Sequence, residues 1–288
     1  MNGSAAAHPS PLDPSPSATG ALTAAAAASV PSGWGAARTW GSLDRVASEA
    51  VRRRARESAI DAVVAHARRL VRHASRPVRL VEQPWPGEGE LDLERTLEAD
   101  ARSTPTAAPE PRLVRNLPRD VEVVAVLDMS LSMTGEKIAL LAVAATILRL
   151  KVENVAVVAF DTTPHVLVRA GEVLGVREVA RRVLSVPAQG YTNIEGGLAA
   201  ALEELRRARR RERVGIVFTD GVANVGADPV RVAGRYPRLH VVHLGEHHVQ
   251  GARCCREMAR AGRGKLYRAR TYADLPRVVR GAVRELFR

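Results

Sequence analysis

From about residue 120 to the C-terminus, short runs of β-branched and aliphatic residues alternate with stretches of helical periodicity. Residues 121–127 (VEVVAVL) are apolar at nearly every position, the pattern of a strand buried on both faces. Helical spacing follows over 136–150, then a second strand over 155–160 and a third over 165–169. Helices are expected over 176–184 and 194–209, and a fourth strand over 214–218 (VGIVF). A helix over 229–234, a fifth strand over 239–244, a helix over 252–261, a sixth strand over 265–268 and a helix over 275–287 complete the chain. Strands separated by helices imply a mainly parallel sheet with helices on both faces. The third strand follows the second after a short turn at 162–164, too little chain for a crossover helix. It is therefore expected to run antiparallel at the sheet edge. The predicted fold class is α/β: three layers, a doubly wound, mainly parallel six-stranded sheet with one antiparallel edge strand, preceded by a helical N-terminal segment.

Upstream the pattern changes. Residues 1–40 are mostly Ala, Pro, Ser and Gly with almost no charge, and offer too little apolar surface to offset the entropy of ordering. They are expected to be a disordered tail. Ser42 is placed to cap a helix running to about residue 74, with Val46, Ala50, Val51, Ala59, Ile60, Val63, Val64, Leu70 and Val71 at roughly helical spacing. Its other face carries Arg52, Arg53, Arg54, Arg56, Arg68, Arg69 and Arg72, either a solvated face or a docking surface for an acidic partner. Residues 77–118 form a Pro-rich, acidic connector in which 91–100 (LDLERTLEAD) suits a short helix or a strand and turn. The expected organisation is a tail at 1–40, an Arg-rich helical segment at 41–76, the connector at 77–118 and the α/β domain at 119–288.

Composition narrows the class. The chain is 46% hydrophobic but only 3% aromatic, so its core must be built from Val, Leu, Ile and Ala. Apolar runs such as 24–30 are far shorter than the ~20 residues a spanning helix needs, so no membrane insertion is expected. No Lys or Arg precedes Arg38, so the basic start of a secretory signal is missing. Two adjacent cysteines, Cys254 and Cys255, make no disulfide framework. A cytoplasmic protein is the expectation. The net charge is +12; of 43 basic residues, Lys137, Lys151 and Lys265 are the lysines, which leaves 40 arginines. Such a balance suits either a nucleic-acid partner or a simple compositional bias.

The polar residues that carry chemistry sit at strand ends. The first strand runs into Asp128-Met129-Ser130-Leu131-Ser132, the fourth into Thr219-Asp220-Gly221, and Gly190-Tyr191-Thr192-Asn193 precedes a helix. In open α/β sheets the ligand crevice lies beyond the carboxyl ends of the strands, where strand order reverses. With the first and fourth strands adjacent there, Asp128, Ser130, Ser132, Thr192 and Asp220 converge. Two carboxylates and three hydroxyls, with no thiolate or imidazole, select a hard cation such as Mg²⁺ or Mn²⁺. Two carboxylates against one divalent ion leave the site near neutral and able to accept a further anionic oxygen, such as an Asp or Glu from a protein partner. Taken singly, each motif also reads as a helix cap or a turn.

This set, Asp-x-Ser-x-Ser followed by a distant Thr and a distant Asp, resembles the metal-ion-dependent adhesion site of von Willebrand factor A domains, whose fold is Rossmann-like. The resemblance covers about residues 119–288 and implies that Ser130, Ser132 and Thr192 are direct metal ligands, with Asp128 and Asp220 binding directly or through water. Leu131 stands where many members have Gly. Upstream, Asp92, Thr96 and Leu97 resemble the D-x-x-x-T-L stretch that precedes the domain in bacterial CoxE-like proteins. That resemblance implies an adaptor working beside a MoxR-type AAA+ ATPase in complex remodelling or metal-centre maturation. The chain itself has no nucleotide loop, because Gly262-Arg263-Gly264-Lys265 lacks the required spacing, and it is expected not to be an enzyme.

His240 and His243 are three apart on a strand and so face opposite sides, which argues against a joint metal site. Cys254 and Cys255 point about 100° apart on a helix and suit ordinary buried thiols. The run 206–213 (RRARRRER) ends a helix, where cations complement the macrodipole, or serves as a phosphate-binding patch. The alternative function is accordingly a nucleic-acid-associated scaffold using its Arg-rich surfaces. A metal-dependent hydrolase would need a general base, and Glu136 and Glu195 sit where helices begin.

Overall fold

The structure is a computed structural model that describes residues 34–43, 49–71, 78–84, 90–100, 111–118, 121–133, 136–210, 212–245, 248–269 and 274–285. Its centre is β4 (Val121–Asp128), buried at every position. β4 pairs in parallel with β5 (Asn154–Phe160) on one side and with β7 (Glu212–Thr219) on the other. The sheet order is β6-β5-β4-β7-β8-β9, with β6 (Pro164–Val168) antiparallel at one edge and β8 (Leu239–Leu244) and β9 (Arg263–Ala269) parallel at the other. In chain order that is 3-2-1-4-5-6, so the winding reverses between β4 and β7 and opens a crevice at their carboxyl ends.

Period-two alternation along β4 divides the core. Val121, Val123, Ala125 and Leu127 face one apolar cluster, whereas Val124 and Val126 face the other. The first cluster holds α4 (Glu136–Lys151), α5 (Val176–Leu184) and α9 (Leu275–Glu285). The second holds α6 (Ile194–Arg207), α7 (Pro229–Ala233) and α8 (Val249–Ala261). Three layers result, as the alternating pattern requires.

The N-terminal helices add a local fourth layer. α1 (Trp34–Leu43) and α2 (Glu49–Val71) pack on each other and on α4, and α2 also packs on α5. This explains α4, whose buried residues run unbroken from Ile138 to Leu148: it has the sheet on one side and α2 on the other. Ala55, Ala59, Ile60, Val63 and Ala67 bury the apolar stripe of α2, and Arg53, Arg54, Arg68 and Arg69 face solvent. Glu57 and Asp61 on α2 pair with Arg177 and Arg181 of α5. The Trp34 ring stacks on His66 at 4.6 Å and its indole N–H donates to Glu136 Oε1 at 3.3 Å.

Two expectations for the upstream region are revised. Residues 34–40, assigned to the tail, lie in α1, because Trp34, Ala36 and Ala37 find an apolar surface on α2 and α4; residues 1–33 fall outside the described residues. The Pro-rich connector contains a second, antiparallel sheet of order β1-β3-β2, from β1 (Val78–Pro84), β2 (Glu90–Leu91) and β3 (Arg112–Pro118). Its prolines obscured the strands, yet Pro84 and Pro118 stand at strand ends, where a missing N–H costs little. α3 (Leu93–Asp100) realises the helical option for 91–100.

Candidate metal centre

The last residue of β4 delivers Asp128 to the crevice, where its side chain is completely buried. The backbone then leaves the strand under tight control. The Met129 N–H donates to the Phe160 carbonyl at 2.7 Å, and the Met129 carbonyl accepts from the Gln189 N–H at 3.1 Å. Leu131–Met133 make one 3₁₀ turn, closed by Met133 N–H to the Ser130 carbonyl at 2.8 Å. Met129 and Met133 thereby point into the core, Leu131 points to solvent, and Ser130 and Ser132 remain on the crevice side.

Side-chain bonds join the two central loops. Ser130 N–H donates to Asp128 Oδ1 at 3.1 Å, and the Ser130 and Ser132 hydroxyls lie 3.2 Å apart. The Ser132 hydroxyl donates to Asp220 Oδ2 at 2.8 Å, across 88 residues of sequence. The Val222 N–H fixes the other Asp220 oxygen at 3.0 Å. Asp128, Ser130, Ser132 and Asp220 therefore form one continuous polar set over the switch point. Thr192 comes to the same crevice through its backbone: its carbonyl accepts from Asn224 N–H at 3.0 Å, and Gln189 of the same loop holds Met129. The Thr192 side chain is buried, and its hydroxyl has no hydrogen bond among the described residues.

Three residues that the sequence reading did not assign complete the scaffold. The Thr219 hydroxyl donates to Asp128 Oδ2 at 2.6 Å and accepts from Gly221 N–H at 3.0 Å. Asn193 caps α6 by accepting from Gly196 N–H at 2.9 Å, and Asn224 fastens the Thr192 loop. A signal for Thr219 was present: it is the one hydroxyl ending the apolar run VGIVF.

Burial pushes the Asp128 carboxyl up to about 6, and the nearby Asp220 charge adds to the rise, while bonds from Thr219 and Ser130 oppose it. Two carboxylates held this close, one of them fully buried, are an environment that a cation relieves. Among the described residues no group of three or more His, Cys, Asp or Glu is placed to hold an ion; an ion in this crevice would draw on the hydroxyls beside the two carboxylates. All-oxygen donors of this kind fit a small hard divalent cation.

The remaining candidates behave as ordinary core residues. His240 and His243 are both buried on opposite sides of β8, and burial holds the His240 imidazole down at about 4. Burial pushes the Cys254 thiol up to about 11 and the Cys255 thiol higher, which leaves them unreactive.

Residues 123–222, from the second residue pair of β4 through the Asp220 loop, match the model of the von Willebrand factor type A domain. Over these residues the chain is similar to that domain. Solved structures agree on the fold. Proximal thread matrix protein 1 from the mussel byssus superposes with a TM-score of 0.50 at 14% identity, over 57% of this chain and 47% of that one. The pilus adhesin SpaC from Lactobacillus rhamnosus GG gives 0.50 at 13% identity, over 59% and 30%. Identities this low bear on the fold of the A domain alone. The comparison with curated proteins found no match. Among the described residues no helix of the A domain or of the segments before it is long and apolar enough to cross a membrane.

Proposed function

We propose that the A domain is a non-catalytic protein-binding module whose docking depends on Mg²⁺ or Mn²⁺ held by Asp128, Ser130, Ser132, Thr192 and Asp220. The observation that carries this reading is the Ser132–Asp220 hydrogen bond, which closes two distant loops into one oxygen-lined cradle at the strand switch point. The bound ion would supply a Lewis-acidic position for a partner's Asp or Glu carboxylate. The chain's own residues do the rest. Thr219 and the Ser130 amide keep Asp128 oriented and favour its ionised form. Met129 and Met133 anchor the turn so that both serine hydroxyls stay on the crevice side. Asn224 and Gln189 hold the Thr192 loop against the other two. Ser132 and Asp220 are the solvent-facing members, so the cradle is open where a guest carboxylate would arrive. Exposed Leu131 and Tyr191 flank that opening from two different loops.

The partner we infer is an AAA+ ATPase of the MoxR type, on the strength of the CoxE-like stretch around Asp92, Thr96 and Leu97. In that stretch Thr96 is buried and bonds back to the Asp92 carbonyl at 2.6 Å, whereas Leu93 and Leu97 are exposed on one side of α3. The test has two parts. Calorimetric titration of the full chain with Mn²⁺ should show one saturable site, weakened at least tenfold by Ser132→Ala and by Asp220→Ala. A co-expressed MoxR-type ATPase should be retained in Mg²⁺ and released by EDTA. No saturable metal uptake ends the proposal. Capture of nucleic acid that ignores EDTA and falls steeply with salt would favour the scaffold alternative.

A further inference from the structure

Beside the metal cradle, the carboxyl ends of β8 and β9 and the first turns of α8 enclose an open cavity of about 510 Å³. That is the size of a small-molecule site, ~300–1,000 Å³. Among the described residues its polar lining is basic or neutral: His243, His248, Arg253, Arg256 and Arg268. Arg253 is partly offset by Glu257, 2.8 Å away, at the next turn of α8. Among the described residues, Arg256 and Arg268 have no carboxylate partner and no acidic side chain lines the cavity. Two guanidiniums left uncompensated in a shared concavity repel one another and attract anions.

Two further observations point to a ligand. The His243 ring is buried yet lines the cavity, and it donates to the Asp220 backbone carbonyl. α8 is 13 residues long, opens into the same space, and takes no side-chain cap from His248. The exposed Val249 and the methyl of Ala252 supply an apolar wall next to the charges.

Charge and volume together select the ligand. A phosphomonoester carries about −1.5 to −2 near neutral pH, matching the two unpaired guanidiniums, which grip its oxygens as forks. The cavity is far larger than a phosphate, which leaves room for an organic group against Val249. We propose that this cavity binds a small phosphomonoester, with the phosphate held by Arg256 of α8 and Arg268 of β9. The site does not depend on the metal reading, since none of its residues belongs to the cradle. It does adjoin it: Gly251 in the first turn of α8 lies so close to the Asp220 carbonyl that a Cβ there would sit 2.3 Å from the oxygen.

The test is calorimetric titration of the full chain in EDTA, at low salt, with AMP, glucose 6-phosphate and inorganic phosphate as probes. The expected result is saturable binding of at least one organic phosphate more tightly than inorganic phosphate. The double variant Arg256→Ala/Arg268→Ala should weaken it at least tenfold with an unchanged melting midpoint, because both side chains are exposed. Arg280→Ala, an exposed arginine on α9, should bind like the parent. Absence of saturable binding by all three probes overturns the proposal, as does equal affinity in the double variant. Binding of inorganic phosphate alone also overturns it by assigning the cavity to a free anion. Because EDTA is present throughout, failure here leaves the metal cradle untouched, and failure of metal binding leaves this site untouched.

Discussion

Thr219 is the sharpest point at which to test the cradle, because it is not one of the ligands. Its hydroxyl donates to Asp128 Oδ2 at 2.6 Å and accepts from Gly221 N–H at 3.0 Å, and both Thr219 and Asp128 are fully buried. Thr219→Val keeps the side-chain shape and deletes the hydroxyl. A hydrogen bond to a charged group is worth about 1.5–3 kcal/mol net, so ionising Asp128 becomes harder by that amount. Metal binding needs the carboxylate, and at 1.4 kcal/mol per tenfold the affinity should fall roughly 10- to 150-fold. The same change leaves the buried Gly221 amide without its acceptor, at a cost of about 1–3 kcal/mol in fold stability. Thr219→Ser retains the hydroxyl and loses one methyl, so it should cost about 1 kcal/mol of stability and leave the affinity nearly intact. Titration with Mn²⁺ reads the first quantity, and urea unfolding in EDTA reads the second. If Asp220→Ala abolishes metal binding while Thr219→Val binds within twofold of the parent, the claim that Thr219 sustains the charge on Asp128 is refuted.

Gly251→Ala should be destabilising by about 3 kcal/mol, since its new methyl would meet the Asp220 carbonyl at 2.3 Å; helix propensity alone would favour alanine by about 1 kcal/mol, so the sign of the change in urea midpoint decides whether this contact is tight. His240 gives a pH test. Burial, reinforced by Arg238 and Lys265, lowers its folded pKa to about 4 from the ordinary 6.5, so the neutral form is favoured in the fold. The resulting stability is full above pH 6.5 and is lost as pH falls towards 4, by about 2 kcal/mol once solvent screening is allowed for. His240→Asn keeps an acceptor for the Lys265 N–H, which now bonds Nδ1 at 3.1 Å, and its urea midpoint should fall less steeply between pH 6.5 and 4.5; parallel curves for the two proteins would rule the imidazole out as the cause.

The parts of the fold that were legible in the sequence share a cause: they depend on local periodicity. β4, β5, β7 and β8 are apolar runs of strand length, and α5 and α6 repeat their buried residues at helical spacing. The antiparallel placement of β6 followed from loop length alone. Elements whose stability comes from distant partners were missed. α1 is short and its buried alanines look like the low-complexity tail until α2 and α4 are in place. β1 and β3 read as proline-rich connector because they become strands only by pairing with each other and with β2. In the candidate site, the five oxygen donors could be picked out by residue type and position at strand ends. Thr219 shared that position at a strand end, but its role, like that of Asn224, could not be read, because what they do is hold another loop.

By itself the sequence determined which chemistry is available: two carboxylates and several hydroxyls at strand ends, no nucleotide loop, an excess of arginine. It also determined that strands and helices alternate, since side-chain periodicity is a property of consecutive residues. The order of strands across the sheet was decided by the tertiary structure, and with it the meeting of Ser132 and Asp220 across 88 residues. So was the gathering of Arg256 from a helix and Arg268 from a neighbouring strand around one cavity. Both depend on which surfaces bury each other, a free energy summed over the whole core and written in no single segment of the chain.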